Sequence, residues 1–168
     1  MIVSTSLSIQ ESLYPELACF GCGQSNPHGL HLRSYREGDL TVAEFTPRPE
    51  HDNGLGIVNA GIIATVLDCH GAAAVMWEVA NQGWKTPAGT LVPFVTASFD
   101  VKFPRPTPFG RTVRLTASPE SIDPSQIIVR SEIAVDSKVR AIMTATWAHE
   151  TGARALARCA AGQARSAG

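Results

Sequence analysis

One carboxylate stands apart in this chain. Asp68 lies in the middle of an apolar, Ala-rich run that fills residues 60–80, and no proline interrupts the chain between Pro49 and Pro87. Helical spacing places Gly61, Ala64, Thr65, Ala72 and Val75 on the same face as Asp68, with no Lys or Arg within one turn to pair with it. A buried carboxylate without a partner is costly. Either Asp68 turns to solvent or to a backbone group, or it is held there for chemistry, as a base or nucleophile. A second group of reactive types is Cys19, Cys22, His28 and His31, which could supply four tetrahedral zinc ligands on paper. A lone C-x-x-C without a second pair at the usual separation is a weak metal signal, so the preferred reading is a tight turn with two thiols and no metal. His70 is two residues from Asp68 and points to another helix face, which makes it a structural histidine. Cys69 reads as a small buried hydrophobe, and a Cys–His dyad from adjacent helical residues has poor geometry. Trp77, Trp84 and Trp147 read as core or interface residues.

The elements that must carry these residues follow from pattern. Asn59 is a good N-cap, because its side-chain oxygen can accept from a first-turn N–H, and one helix is expected over residues 59 to about 79. Its faces do not divide into polar and apolar, as expected of a buried helix. It is long enough to raise the question of a membrane span, but Asp68, His70 and Glu78 break the run. Residues 1–13 read as a weak segment, a short helix at most and loosely packed. Residues 30–36 and 40–45 read as two strands joined at Glu37-Gly38-Asp39. Four more strands are expected at 94–103, 111–118, 127–135 and 139–149, the last two joined at Asp136-Ser137-Lys138. In the first of these the alternation is ambiguous, running Phe94, then Ala97 or Phe99, then Val101 and Phe103. Two strands, one long buried helix and four strands joined by short turns give an α+β class with an antiparallel sheet curled around the helix.

The bulk properties exclude several classes. At 168 residues the chain suits one domain. We read residues 19–150 as that domain, 1–18 as an N-terminal segment and 151–168, rich in Ala, Arg and Gly, as a frayed or disordered tail. A net charge of −1 leaves no electrostatic footprint for nucleic acid. The N-terminus has no basic segment followed by an apolar one, so no signal peptide is expected. Four cysteines without a secretory signal point to reduced thiols and a cytoplasmic location.

Three motifs carry a resemblance. The opening C-x-x-C-G-x-x-N-P-x-G-L-x-L from Cys19 to Leu32, the segment from His51 to Asp68 with Asn53, Gly56, Asn59 and Gly61 at fixed offsets, and V-T-A-x-x-x-V-x-F-x-R-P-T-P-x-G from Val95 to Gly110 together look like PaaI-type acyl-CoA thioesterases. The predicted strand and helix order is similar to the hotdog fold of that family, about six antiparallel strands around one long helix. The resemblance implies hydrolysis of an acyl-CoA to free acid and CoA, with CoA as part of the substrate and no separate cofactor. It places the catalytic carboxylate on Asp68. A residue that positions water or substrate falls on Asn53, and a hydroxyl that helps hold the water falls on Thr96. The oxyanion donors fall on the backbone of Ala60 and Gly61. Apart from the resemblance, Arg105 could meet a CoA phosphate through a charge-assisted bond, with a solvated loop arginine as the plainer reading. Two positions depart from the pattern: Asn59 stands where many of these enzymes carry His, and Ala60 replaces the first glycine of a pair.

The chemistry is consistent with these positions. Helix N-terminal N–H groups aimed at a developing oxyanion contribute about 3 kcal/mol per donor. Asp68 would activate water, or attack directly through an anhydride. Ala60 and Asp68 are about 12 Å apart along a helix at 1.5 Å per residue, so one carbonyl cannot touch both. A working site therefore requires a homodimer, as the resemblance also implies, and a dimer of dimers is usual in such proteins. The expected partners are an acyl-CoA and a second copy of the chain, with neither nucleic acid nor membrane. The rival reading is a non-catalytic hotdog protein that binds an acyl-CoA or a hydrophobic acid, and Asn59 and Ala60 are the features that favour it. A hydratase of the same fold would need an Asp/His pair on the substrate, which the placement of His70 opposes.

Overall fold

The structure is a computed structural model, and it describes residues 7–88 and 91–149. The proposed tail at 151–168 lies outside the described residues. In chain order the elements are a short helix α1 (Ile9–Leu13), strands β1 (Ser34–Glu37) and β2 (Leu40–Phe45), a 3-10 turn (Pro49–His51), the long helix α2 (Ala60–Asn81), and strands β3 (Phe94–Lys102), β4 (Val113–Ile122), β5 (Gln126–Val135) and β6 (Lys138–His149). The six strands form one antiparallel sheet in the order β1-β2-β4-β5-β6-β3. Helix α2 packs across its concave side, touching β2 through β6. This is the hotdog fold.

Helix α2 starts where the sequence says it should. The Asn59 side chain accepts from the Gly61 N–H at 2.8 Å, which satisfies one of the orphan donors of the first turn. The Asn59 N–H in turn donates to the His51 carbonyl at 2.8 Å, so the 3-10 turn fixes where the helix begins. Twelve of its 22 residues are buried, and they lie all round the middle of the helix. That distribution makes α2 the core of the domain, although its length and hydropathy would allow a membrane span. The small residues Gly71 to Ala74 bring its backbone close to the sheet: a Cβ on Gly71 would meet Ser131 Oγ at 3.3 Å and Trp147 Cζ2 at 3.7 Å. On the sheet side Leu115, Ile127, Val129, Ile133, Met143 and Trp147 close the core.

Several expectations need correction. Residues 8–13 are not loosely packed. Ser8 and Glu11 form a capping box on α1, and Ser8, Ile9 and Gln10 are buried. The first strand starts at Ser34 rather than at residue 30, because the N–H groups of Leu30 and Leu32 donate to the carbonyls of Phe20 and Gly21 instead of to a strand. Strand β4 runs four residues past the expected end, through a register shift between Pro119 and Ser121. In β3 the ambiguous alternation has a physical cause: Thr96 pairs with Trp147 and Ser98 with Thr146, leaving Ala97 as an unpaired bulge residue. The bulge shifts the alternation, so Thr96 reaches the helix and Val101 packs on the core while Phe99 is exposed.

His70 is structural, as expected. It is fully buried, its Nε2–H donates to the Thr41 carbonyl at 3.1 Å, and its Nδ1 accepts from the Ser34 hydroxyl at 2.9 Å. Ser34 is further tied to Gln10 through both its N–H and its hydroxyl. This closed network joins α1, β1, β2 and α2. Of the tryptophans, Trp147 is buried, Trp84 stacks on Phe94, and Trp77 is partly exposed beneath the Arg36 guanidinium.

Candidate active site

Asp68 projects from the middle of α2 toward β3, where the Thr96 hydroxyl donates to its Oδ1 at 2.9 Å. Among the described residues no backbone group bonds it, and it is partly buried. Among the described residues no cation pairs with it. Burial pushes the Asp68 carboxyl above the ordinary aspartate range; the Thr96 hydrogen bond opposes that shift and the nearby Cys19 sulfur adds to it. A carboxylate that is partly desolvated, held by one hydroxyl and without a counter-ion among the described residues can accept a proton near neutral pH more readily than a free one. The bulge at Ala97 lets β3 present Thr96 to Asp68 and still keep Val101 against the core.

The second part of the site is the start of α2. Ala60 is the first helical residue and is exposed, as is Gly61. The Gly61 N–H is already engaged by Asn59, as described above. The loop before the helix is closed on itself. Asp52 Oδ1 accepts from the N–H groups of Gly54 and Gly56, and the Asn53 side chain accepts from Leu55 N–H at 2.9 Å. Asn53 is exposed at this rim and makes no bond to Asp68 or Thr96 of its own chain. His51 is buried beneath the loop, with its Nδ1 accepting from Arg48 N–H and its ring stacked on Phe45. Beside this end of α2 runs a narrow apolar cleft lined by Val58, Ile62, Val66 and Ile133, where the Thr107 hydroxyl is buried without a partner.

The structure thus brings together two pairs of the expected residues, Asp68 with Thr96 and Asn59 with Gly61. It does not bring the pairs together within one chain. Arg105 lies apart on the loop after β3, exposed, with Nη1 donating to the Val139 carbonyl. The expected zinc alternative is not assembled, since His28 and His31 lie outside the thiol group that Cys19 and Cys22 form. Sequence reasoning missed the third member of that group, Cys69, whose separation from Cys22 leaves no local signature.

No protein-family model matches the chain, and no curated protein matches it in sequence. Solved structures do match. A thioesterase superfamily protein from Shewanella loihica is similar at 28% identity and a TM-score of 0.56, over 76% of this chain and 97% of that one. A phenylacetic acid degradation-related protein from Ralstonia eutropha aligns at 19% identity and a TM-score of 0.61, over 84% of this chain and 98% of that one. The E. coli PaaI protein from the phenylacetic acid degradation operon aligns at 17% identity and a TM-score of 0.58, over 73% and 82% of the two chains. The fold is therefore the one the motifs imply, the hotdog fold of thioesterase superfamily proteins, PaaI among them.

Proposed function

We propose that the protein is an acyl-CoA thioesterase whose site is completed by a homodimer. The observation that carries this reading is the Asp68–Thr96 pair: a half-buried carboxylate with a raised pKa, oriented by a hydroxyl and left without a cation. In this reading Asp68 takes a proton from water, which attacks the thioester carbonyl, and Thr96 fixes the carboxylate that receives the proton. The oxyanion is met by the first-turn N–H groups of α2 in the partner subunit, from Ala60 and Gly61, because α2's own N-terminus lies about 12 Å from Asp68. Asn59 acts as a displaceable cap: the thioester oxygen takes the place of its Oδ1 on the Gly61 N–H. Asn53, on the exposed rim, positions substrate from the same side as the oxyanion donors, and Arg105 meets a CoA phosphate. Attack by Asp68 itself through an anhydride uses the same residues.

A dimer that joins these halves is supported by the edge of β3, which among the described residues pairs with β6 alone, and by the exposed Val95 and Phe99 on it and Phe103 just after it. Such apolar side chains on an edge strand mark a surface to be covered. The deciding experiment follows CoA release with a thiol reagent over short, long and aryl acyl-CoAs, with Asp68→Asn beside the wild type. Turnover lost in the variant supports the reading, and turnover retained in it ends it.

A second reading is favoured by one contact. With Asn59 seated on the Gly61 N–H, the oxyanion donor is blocked, as it would be in a non-catalytic protein that binds an acyl-CoA or a hydrophobic acid. Tight acyl-CoA binding without turnover on any substrate would select it.

A further inference from the structure

The Sγ atoms of Cys19, Cys22 and Cys69 lie within 4.8 Å of one another, with Cys19 and Cys69 3.6 Å apart. A zinc ion with four ligands at about 2.3 Å sets its sulfurs about 3.8 Å apart, so these thiols already stand at near-coordinating separation. They come from two places. Cys19 and Cys22 sit on a loop closed by Gly23 N–H donating to the Cys19 carbonyl, and Cys69 sits on α2, one residue from Asp68.

The loop is built for this approach. A Cβ on Gly21 would lie 2.3 Å from Cys69 Sγ, so only glycine lets the loop reach the helix there. The loop is pinned further by the Leu30 and Leu32 N–H groups, which donate to the Phe20 and Gly21 carbonyls. Cys22 and Cys69 are buried and Cys19 is half-buried, so the three sulfurs stand together out of bulk solvent.

We propose that Cys19, Cys22 and Cys69 form a zinc site that clamps the loop of residues 19–32 to α2 beside Asp68. Among the described residues no His, Asp or Glu joins the group, so the fourth position falls to water. On binding, each thiol that carries a proton gives it to solvent, and three thiolates on Zn²⁺ leave the site with a net charge of −1. Thiolate-only protein ligands select zinc over magnesium or calcium. The inference does not depend on hydrolysis, because it is read by metal binding and not by turnover.

The test is a Co²⁺ titration of the full-length, reduced, metal-free protein. The expected result is one cobalt per chain, with sulfur-to-cobalt charge-transfer absorption in the near ultraviolet, tetrahedral ligand-field bands in the visible, and displacement by Zn²⁺. Cys69→Ser should weaken binding by tenfold or more, while the His28→Ala/His31→Ala double variant should bind as the wild type does. The wild-type titration needs no variant to fold, and absence of a saturable cobalt spectrum overturns the site. So does a spectrum unchanged by Cys69→Ser or lost in the histidine variant. A Cys19–Cys69 disulfide in protein purified without oxidant would also overturn it and make the thiols a redox pair.

Discussion

The Thr96 hydroxyl donates to Asp68 Oδ1 at 2.9 Å across the gap between β3 and α2, and among the described residues it is the one side chain hydrogen-bonded to that carboxylate. The bond lowers a pKa that burial raises. For a base that works ionised, rate falls as pH drops through its pKa, so the acid limb of kcat/KM should lie above the free-aspartate value. Thr96→Val removes the lowering contribution and should move that limb further up. A pH profile of both proteins checks this, and an unmoved or lowered limb would detach Thr96 from the base.

Asp68→Asn should reduce CoA release by about 10²- to 10⁴-fold, the usual contribution of a positioned general base. Its stability should not suffer. A carboxyl with a raised folded pKa is destabilising once ionised: the folded chain holds the proton longer than the unfolded chain, so stability falls as pH rises from the ordinary value through the raised one. At pH 7 the Asn variant should therefore melt at or above the wild type, which a thermal scan reads directly.

His70 supplies the opposite pH dependence. Burial lowers its pKa to about 4, with the Thr41 carbonyl opposing the shift. The neutral ring is the one that fits the Ser34–His70–Thr41 network. Its contribution is complete above pH 6.5 and is lost as pH falls from there to about 4, at about 1.4 kcal/mol per pKa unit. Denaturant melts across that window should show the loss in the wild type.

Both the helix and its cap were legible in the sequence, because an N-cap residue followed by an unbroken apolar run specifies a buried helix by short-range rules. The carboxylate was legible for the same reason: Asp68 had no local partner. Thr96 came from resemblance, since a contact 28 residues away leaves no periodic trace. The Ala97 bulge showed only as an alternation that would not resolve, and the union of Cys69 with Cys19 and Cys22 did not show at all. Those features are set by how α2, β3 and the 19–32 loop meet in space.

Asn59→Gly separates the two functional readings. Glycine is the mildest replacement at an N-cap, costing a few tenths of a kcal/mol, so the fold should hold while the Gly61 N–H is released. If Asn59 is a displaceable cap, the variant should hydrolyse acyl-CoA within a few-fold of wild type. Activity appearing in the variant from a silent parent would mark the wild type as a blocked binder.

Ala60→Gly should be tolerated. Ala60 is the exposed first residue of α2, and the Ala-to-Gly penalty of about 1 kcal/mol applies to a helix interior rather than to its first position. A substrate panel should show activity retained on the acyl-CoAs the wild type accepts. A collapse of activity would show that the methyl shapes the acyl site.

The unpaired Ala97 gives β3 two independent phases. Before it, Phe94 is buried in the core and Thr96 meets Asp68; after it, Val101 packs on the core and Phe99 is exposed. A change in side-chain size at Phe99 can thus reshape the exposed edge without rotating Thr96 away from its carboxylate. The exposed edge and the contact with Asp68 are free to drift separately within one nine-residue strand.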